Sequence, residues 1–377
     1  MQLGVRRRGW LGDKLHTCRG GRGVSVKPAG LLAGLLVAFA LGAWLPSSAQ
    51  DNTQVARWYK GELHAHTINS DGDSPPVDVL AWYKRHGYNF LAITDHNTLT
   101  DPAPLDTNPA DAFLLLGGEE VTNERFVHVN AIGVSHPIAP QKGATATEIL
   151  QSTVDAIRGA GGLPVINHPN FGWALTPDDM LPVTGAALLE IASGQSSSNH
   201  QGDGLVPSTE QMWDELLSAG MRIYAVAVDD AHHFRAEFSI RGANPGRAWV
   251  VVKAPALTRD AILSALEDGE FYASTGVTLT EISATPESLS VTIAPEGMTY
   301  ETLVMVAARN GRTVPPGASL MKRYRVTFIG ESGRVLATSN ENPAEYRITG
   351  DEGYVRARID DSGGMQAWTQ PVFIDSR

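Results

Sequence analysis

The sequence predicts an α/β protein: a β/α barrel or doubly wound sheet over residues 60 to 278, followed by a small antiparallel β-sandwich. Three observations lead there. Helical and strand-like segments alternate through the first region, as parallel strands joined by crossover helices require. Several of those strands run directly into histidines or acids, and the carboxyl ends of strands are where β/α barrels build their sites. Beyond residue 280 the apolar period drops to two, the spacing of half-buried strands.

Taken in order, Pro75-Pro76 opens a helix with Val77, Leu80 and Tyr83 on one face, and the apolar strand Phe90 to Thr94 ends in Asp95-His96. Leu150, Val154 and Ile157 mark a second helix stopped by Gly161-Gly162, and Leu163 to Asn167 then delivers His168. Trp213, Leu216 and Leu217 mark a third, stopped by Gly220, and Tyr224 to Val228 delivers Asp230 and His232. In the C-terminal region Leu289, Val291 and Ile293 alternate with polar residues, as do Val326 with Phe328 and Val355 with Ala357 and Ile359. Turn signals at Asn310-Gly311, Glu331 to Gly333 and Asp361 to Gly364 separate these runs. The expected domains are residues 50–278 for the metal-bearing part and 279–377 for the sandwich, in which no chemistry is visible.

The first 49 residues differ from the rest. Arg6, Arg7, Arg8, Lys14, Arg19, Arg22 and Lys27 precede an apolar run, Leu31 to Leu45, that is short for a membrane span and ends with Ser47 and Ala49, which suit signal peptidase. Residues 1–49 are therefore read as a cleaved export signal. The mature chain would be periplasmic or secreted, with no stable membrane span. Losing seven basic residues and Asp13 takes the formal charge from −11 to −17. So acidic a protein is a poor partner for long nucleic acid, whose binding depends on Lys and Arg at phosphates, and a small-molecule substrate is expected. Protein partners are not readable. The one cysteine, Cys18, falls in the signal, so the mature chain has neither disulfide nor thiol nucleophile.

Six histidines and three acids carry the chemistry: His64, His66, Asp71, His96, Glu120, His128, His168, Asp230 and His232. In extended chain, residues two apart share a face, so His64 converges with His66, and Asp230 with His232. Imidazole nitrogen and carboxylate oxygen together suit zinc, manganese or iron, and nine donors could hold two or three divalent ions. Other singled-out residues carry two readings each. His86, His136, His200 and His233 are caps or surface groups, with His200 and His233 also placed to touch substrate. Arg235, Arg241 and Arg247 form surface salt bridges or bind a substrate anion. Phe171 and Trp173 pack in the core or flank an apolar leaving group.

His64-Ala-His66-Thr67, Ser70-Asp71-Gly72, Thr94-Asp95-His96-Asn97, Gly118-Glu-Glu120-Val-Thr122, Asn167-His168-Pro169 and Asp229-Asp230-Ala-His232 resemble the motif series of the polymerase and histidinol phosphatase (PHP) superfamily. The resemblance covers residues 58 to 278. Gly269 to Gly276, Tyr354-Val-Arg356 and Ala367 to Pro371 further resemble the CehA/McbA-type metallohydrolases, a branch named for carbaryl hydrolases. It implies a PHP-type distorted β/α barrel in which His64, His66, Glu120 and Asp230 hold one ion. Glu120 would bridge to a second at His128 and His168, and Asp71, His96 and His232 would complete a third position. Glu120 is preferred to its neighbour Glu119. The implied reaction is hydrolysis of a phosphomonoester or phosphodiester through a metal-activated hydroxide, with cleavage of a carboxyl ester or carbamate, or metal-dependent binding without turnover, as alternatives. Asp95 is expected to orient a neighbouring imidazole, and His232 is the candidate to protonate the leaving oxygen.

Overall fold

The computed structural model describes residues 55–105, 112–236, 242–298, 300–309, 311–316, 318 and 320–374. Residues 1–49, read from the sequence as an export signal and including Cys18, lie outside the described residues, as do Arg241 and Asn310.

The chain is mixed α/β, with every predicted helix of the first region in place. Pro76–Arg85 starts at its proline and buries Val79, Leu80, Trp82 and Tyr83, while Val77 stays exposed. Ala146–Gly159 is capped by Thr145, whose side chain accepts from Glu148 N, and it buries Leu150, Val154 and Ile157. Thr209–Ser218 begins with a reciprocal capping box between Ser208 and Gln211.

Five strands, Gly118–Thr122, His128–Ile132, Leu163–Ile166, Leu188–Ser193 and Tyr224–Val228, form one sheet in that order, with the last three parallel. In a second sheet, Arg57–Glu62 pairs in parallel with Phe90–Ala92, which pairs in parallel with Leu114–Leu116. Two isolated parallel bridges, His96 with Glu120 and Ala65 with Ala231, link the sheets on either side. The backbone pairings therefore run in a circuit, and both linking bridges lie at or beside predicted ligands.

The second sheet continues through Trp249–Ala254 and Phe271–Ser274 into Gln366–Thr369, Tyr354–Asp361, Tyr324–Gly330 and Arg334–Ser339. A three-stranded sheet, Leu279–Ala284, Ser288–Ile293 and Ala344–Arg347, contributes Leu289, Val291 and Ile293 to a core shared with Val326, Phe328, Val355 and Ile359 of the long sheet. The period-two residues of the C-terminal region are thus the inward faces of two sheets. A helix, Tyr300–Arg309, stands where the sequence suggested only strands and turns.

Among the described residues no helix is long and apolar enough to cross a membrane.

Candidate metal centre

His64 and His66 leave the end of the first strand in extended chain, both with no exposed surface. The residue between them, Ala65, bridges Ala231, which sets Asp230 and His232 opposite the pair. Asp230 sits in the left-handed region at φ 48°, a conformation that a short polar side chain tolerates best. In the hairpin of Gly118–Thr122 with His128–Ile132, alternation decides which of two adjacent acids faces the histidines. Glu120 does. Glu119 points the other way and accepts from Ile138 N at 2.9 Å.

Glu120 is the hub. Its Oε2 lies 3.4 Å from both His64 Nε2 and His66 Nε2 and 2.9 Å from His96 Nδ1, while Oε1 lies 3.0 Å from His128 Nδ1 and 3.2 Å from His168 Nε2. Asp230 Oδ1 reaches His66 Nε2 at 3.3 Å and His64 Nε2 at 3.5 Å. The half-exposed Asp71 reaches His232 Nε2 at 3.3 Å and His96 Nε2 at 3.5 Å. Four overlapping donor groups result, each with ligand atoms within 4.8 Å of one another: His66, Asp71, His96 and His232; His64, His168 and Asp230; His64, His66 and Glu120; and His96, Glu120 and His128. Relative to the division implied by the PHP resemblance, His66 joins the Asp71 group and His96 also approaches Glu120. Seven of the nine predicted donors, Asp71, His96, Glu120, His128, His168, Asp230 and His232, line one small cavity of about 160 Å³, to which Phe171 and Ser198 add walls, while His64 and His66 lie buried behind Glu120 and Asp230.

The electrostatics differ between donors: burial and the neighbouring His232 lower the pKa of His66, whereas the acids favour positive charge on His64 and His96. Burial opposes ionisation of His64, yet Asp230, Glu190 and Glu120 push its pKa well above the usual range. Burial likewise opposes charge on His96, and Asp71 and Glu120 outweigh it, lifting its pKa to about 10. Glu120 is held well below the carboxylate range despite its burial, by His64, His128 and His168. A divalent cation satisfies the same field without a proton. His64 Nε2, His66 Nε2 and Glu120 Oε2 are buried and lack a hydrogen-bond partner, which such an ion would supply. The donor set fits divalent metals.

Other polar groups hold these donors in place. Asn167 Nδ2 donates to Glu120 Oε1 and to Asn130 Oδ1, both at 2.9 Å. Asp229 does not join the cluster; it accepts from the backbone N–H groups of Gly246, Arg247 and Ala248 and from the Tyr83 hydroxyl, bracing the turn before Asp230. Asp95 corrects the sequence reading. Among the described hydrogen bonds its oxygens accept from Thr67 N, Thr67 Oγ1, Ser70 Oγ and Thr100 Oγ1 and from no imidazole, so it organises the loop after His66. His232 Nδ1 donates to the carbonyl of Asp230, two residues earlier, at 2.9 Å, leaving Nε2 toward Asp71.

Sequence reasoning missed Glu190. Its Oε1 accepts from His64 Nδ1 at 2.6 Å and its Oε2 from His168 N at 2.9 Å. The available signal was a lone acid inside the buried strand Leu188–Ser193.

Among the described residues, His86, His136, His200 and His233 join no donor group. His86 stacks on Trp82 at 3.7 Å. Beside the centre, a cleft of about 420 Å³ shares His96, His128 and Phe171 with it and adds Phe126, Arg125 and Thr122. Phe126 is 57% exposed, and both it and Arg125 have left-handed backbone, at φ 57° and 61°. Phe126 and Phe171 meet edge to face at 5.7 Å. Trp173 is 44% exposed, so it is not a core residue.

No family model matches the sequence, and no curated protein sequence matches it. Among solved structures it is similar to a two-domain protein containing a predicted PHP-like metal-dependent phosphoesterase from Bacteroides vulgatus, with 14% identity over 84% of this chain and 95% of that one, and a TM-score of 0.44. An amidohydrolase from Chromobacterium violaceum aligns with 19% identity over 46% of this chain and 87% of its own, at TM-score 0.35. A lesion-specific endonuclease from Pyrococcus furiosus aligns with 16% identity over 56% of each chain, at TM-score 0.34. All three scores fall below 0.5, so the side chains alone carry the functional reading.

Proposed function

We propose that this chain is an exported, metal-dependent hydrolase of the PHP type that cleaves small phosphoesters. The observation that carries the reading is the convergence of nine imidazole and carboxylate donors into one cluster of overlapping groups, with Glu120 within 3.4 Å of five imidazoles. Zinc, manganese or iron bound there would supply Lewis acidity toward the substrate oxygen and a more acidic water.

The chain's own residues do the rest. Glu120, braced by Asn167, keeps the donor groups at fixed spacing. Asp95 holds the Thr67–Ser70 loop against the cavity. His232, the candidate proton donor to the leaving oxygen, has Nε2 beside the half-exposed Asp71 at the solvent side of the cluster. Phe126 and Phe171 offer an apolar wall for the part of the substrate that does not react. That wall equally favours a second reading, cleavage of a carboxyl ester or carbamate with an apolar leaving group.

The test is release of nitrophenol from bis(p-nitrophenyl) phosphate by mature protein loaded with manganese, beside a His168→Ala variant prepared identically. Release that vanishes in the variant supports the phosphodiesterase. Absence of release from well-metallated protein, with turnover of an activated carboxyl ester, replaces it with the second reading.

A further inference from the structure

We infer that Glu190 is a positioning residue that presets the site for one particular ion, the one at His64, His168 and Asp230. This rests on the metal-centre reading above, since it concerns the same donors. Glu190 ties together two of the three donors of that group, which come from different elements: His64 follows the first strand, and His168 follows Leu163–Ile166.

A carboxylate only accepts hydrogen bonds, so the 2.6 Å contact requires the proton of His64 on Nδ1. That fixes the tautomer. In the neutral, metal-binding form of the imidazole the lone pair of Nε2 then faces Glu120 and Asp230, where no protein hydrogen-bond partner meets it. The other oxygen accepts from His168 N and fixes the backbone from which the second imidazole projects. Glu190 is 1% exposed, so neither bond competes with bulk water. Supporting carboxylates of this kind orient metal histidines and raise their basicity. What is particular here is that one carboxylate serves two ligands of one ion at once, and that His66, Asp71, His96 and His232 have no contact with it among the described hydrogen bonds and ion pairs.

Glu190→Gln separates the possibilities, because an amide presents a single acceptor oxygen and must lose one of the two bonds. Metal content after gel filtration and manganese affinity by calorimetry are compared with wild type. The expected result is a loss of about 10- to 100-fold in affinity at the ion of that group, with the ion at His66, Asp71, His96 and His232, which Glu190 does not touch among the described contacts, bound as before. Equal affinity at every ion overturns the inference, whereas wild-type protein that binds no ion overturns the metal centre itself. A second measurement does not depend on the variant's folding. In metal-free wild type, the His64 Nδ1–H is expected as a slowly exchanging, downfield proton resonance by NMR. Finding His64 protonated at Nε2 alone, or its Nδ1–H in fast exchange with water, refutes the assignment. Glu190→Asp, which keeps the charge but shortens the reach, is expected to lose affinity at the same ion, and full retention again overturns the inference.

Discussion

Replacing Arg356 by Met tests how the C-terminal sheet is fastened to the helix Thr209–Ser218. Arg356 is 1% exposed, with Nε 2.8 Å from Asp214 Oδ1 and Nη2 2.7 Å from Oδ2. Nη2 is also 2.9 Å from Glu210 Oε1, and the guanidinium lies over the Trp213 ring at 4.8 Å. Removing it leaves Asp214, itself 7% exposed, with only the Tyr354 hydroxyl as a side-chain donor among the described residues. An uncompensated buried carboxylate costs about 3–5 kcal/mol, whereas replacing both partners by well-packed apolar residues is near neutral. Asp214→Leu alone should cost less, because Arg356 keeps Glu210. The double variant should recover most of the loss. The assay is urea unfolding followed by tryptophan fluorescence, with metal content measured in parallel. A single-variant cost below about 1 kcal/mol, or a double variant no better than the sum of its parts, would refute the reasoning. Bound metal should not change in any of the three, because none of these residues touches the centre.

Three further outcomes follow from the geometry. Glu120→Gln should release metal and abolish turnover, whereas Glu119→Gln, on the opposite face of the same strand, should retain bound metal by elemental analysis. Phe126→Ala removes half of the apolar wall and should lower kcat/KM for an aryl substrate about fivefold, equivalent to about 1 kcal/mol of lost apolar contact, with little change for methyl esters of the same acid. Glu352 accepts from Thr349 N, Gly350 N and the Tyr346 hydroxyl, and although burial opposes its ionisation these bonds lower its pKa to about 2. Because the folded value lies below the unfolded one, its contribution of about 1–2 kcal/mol, after allowance for solvent screening, is present above about pH 4.5 and lost as pH falls toward 2. Glu352→Gln should therefore flatten acid unfolding over that window.

The centre was legible because its donors obey local rules. His64 and His66 share a face through the two-residue period of extended chain, and His96, His168 and Asp230 follow apolar runs that could only be buried strands. The choice between Glu119 and Glu120 needed the hairpin register that puts Glu120 opposite Asn130. Glu190 and Asn167 escaped because their partners lie 126 and 47 residues away, and nothing local marks a buried acid as a support. Asp95 misled for a related reason: it adjoins a histidine in sequence, but its side chain turns to hydroxyls 25 and 28 residues upstream. In the C-terminal part the alternation gave the inward faces, while the pairing of Phe271–Ser274 with Gln366–Thr369 depends on long-range register that no turn signal reports.

The most direct test of a metal centre is a crystal structure of residues 50–377 loaded with manganese, with anomalous differences collected at wavelengths on either side of the manganese edge. The account predicts two or three anomalous peaks within coordination distance of Glu120, Asp230 and the six histidines. Crystals soaked to saturation in manganese that show no anomalous peak at these donors would contradict it.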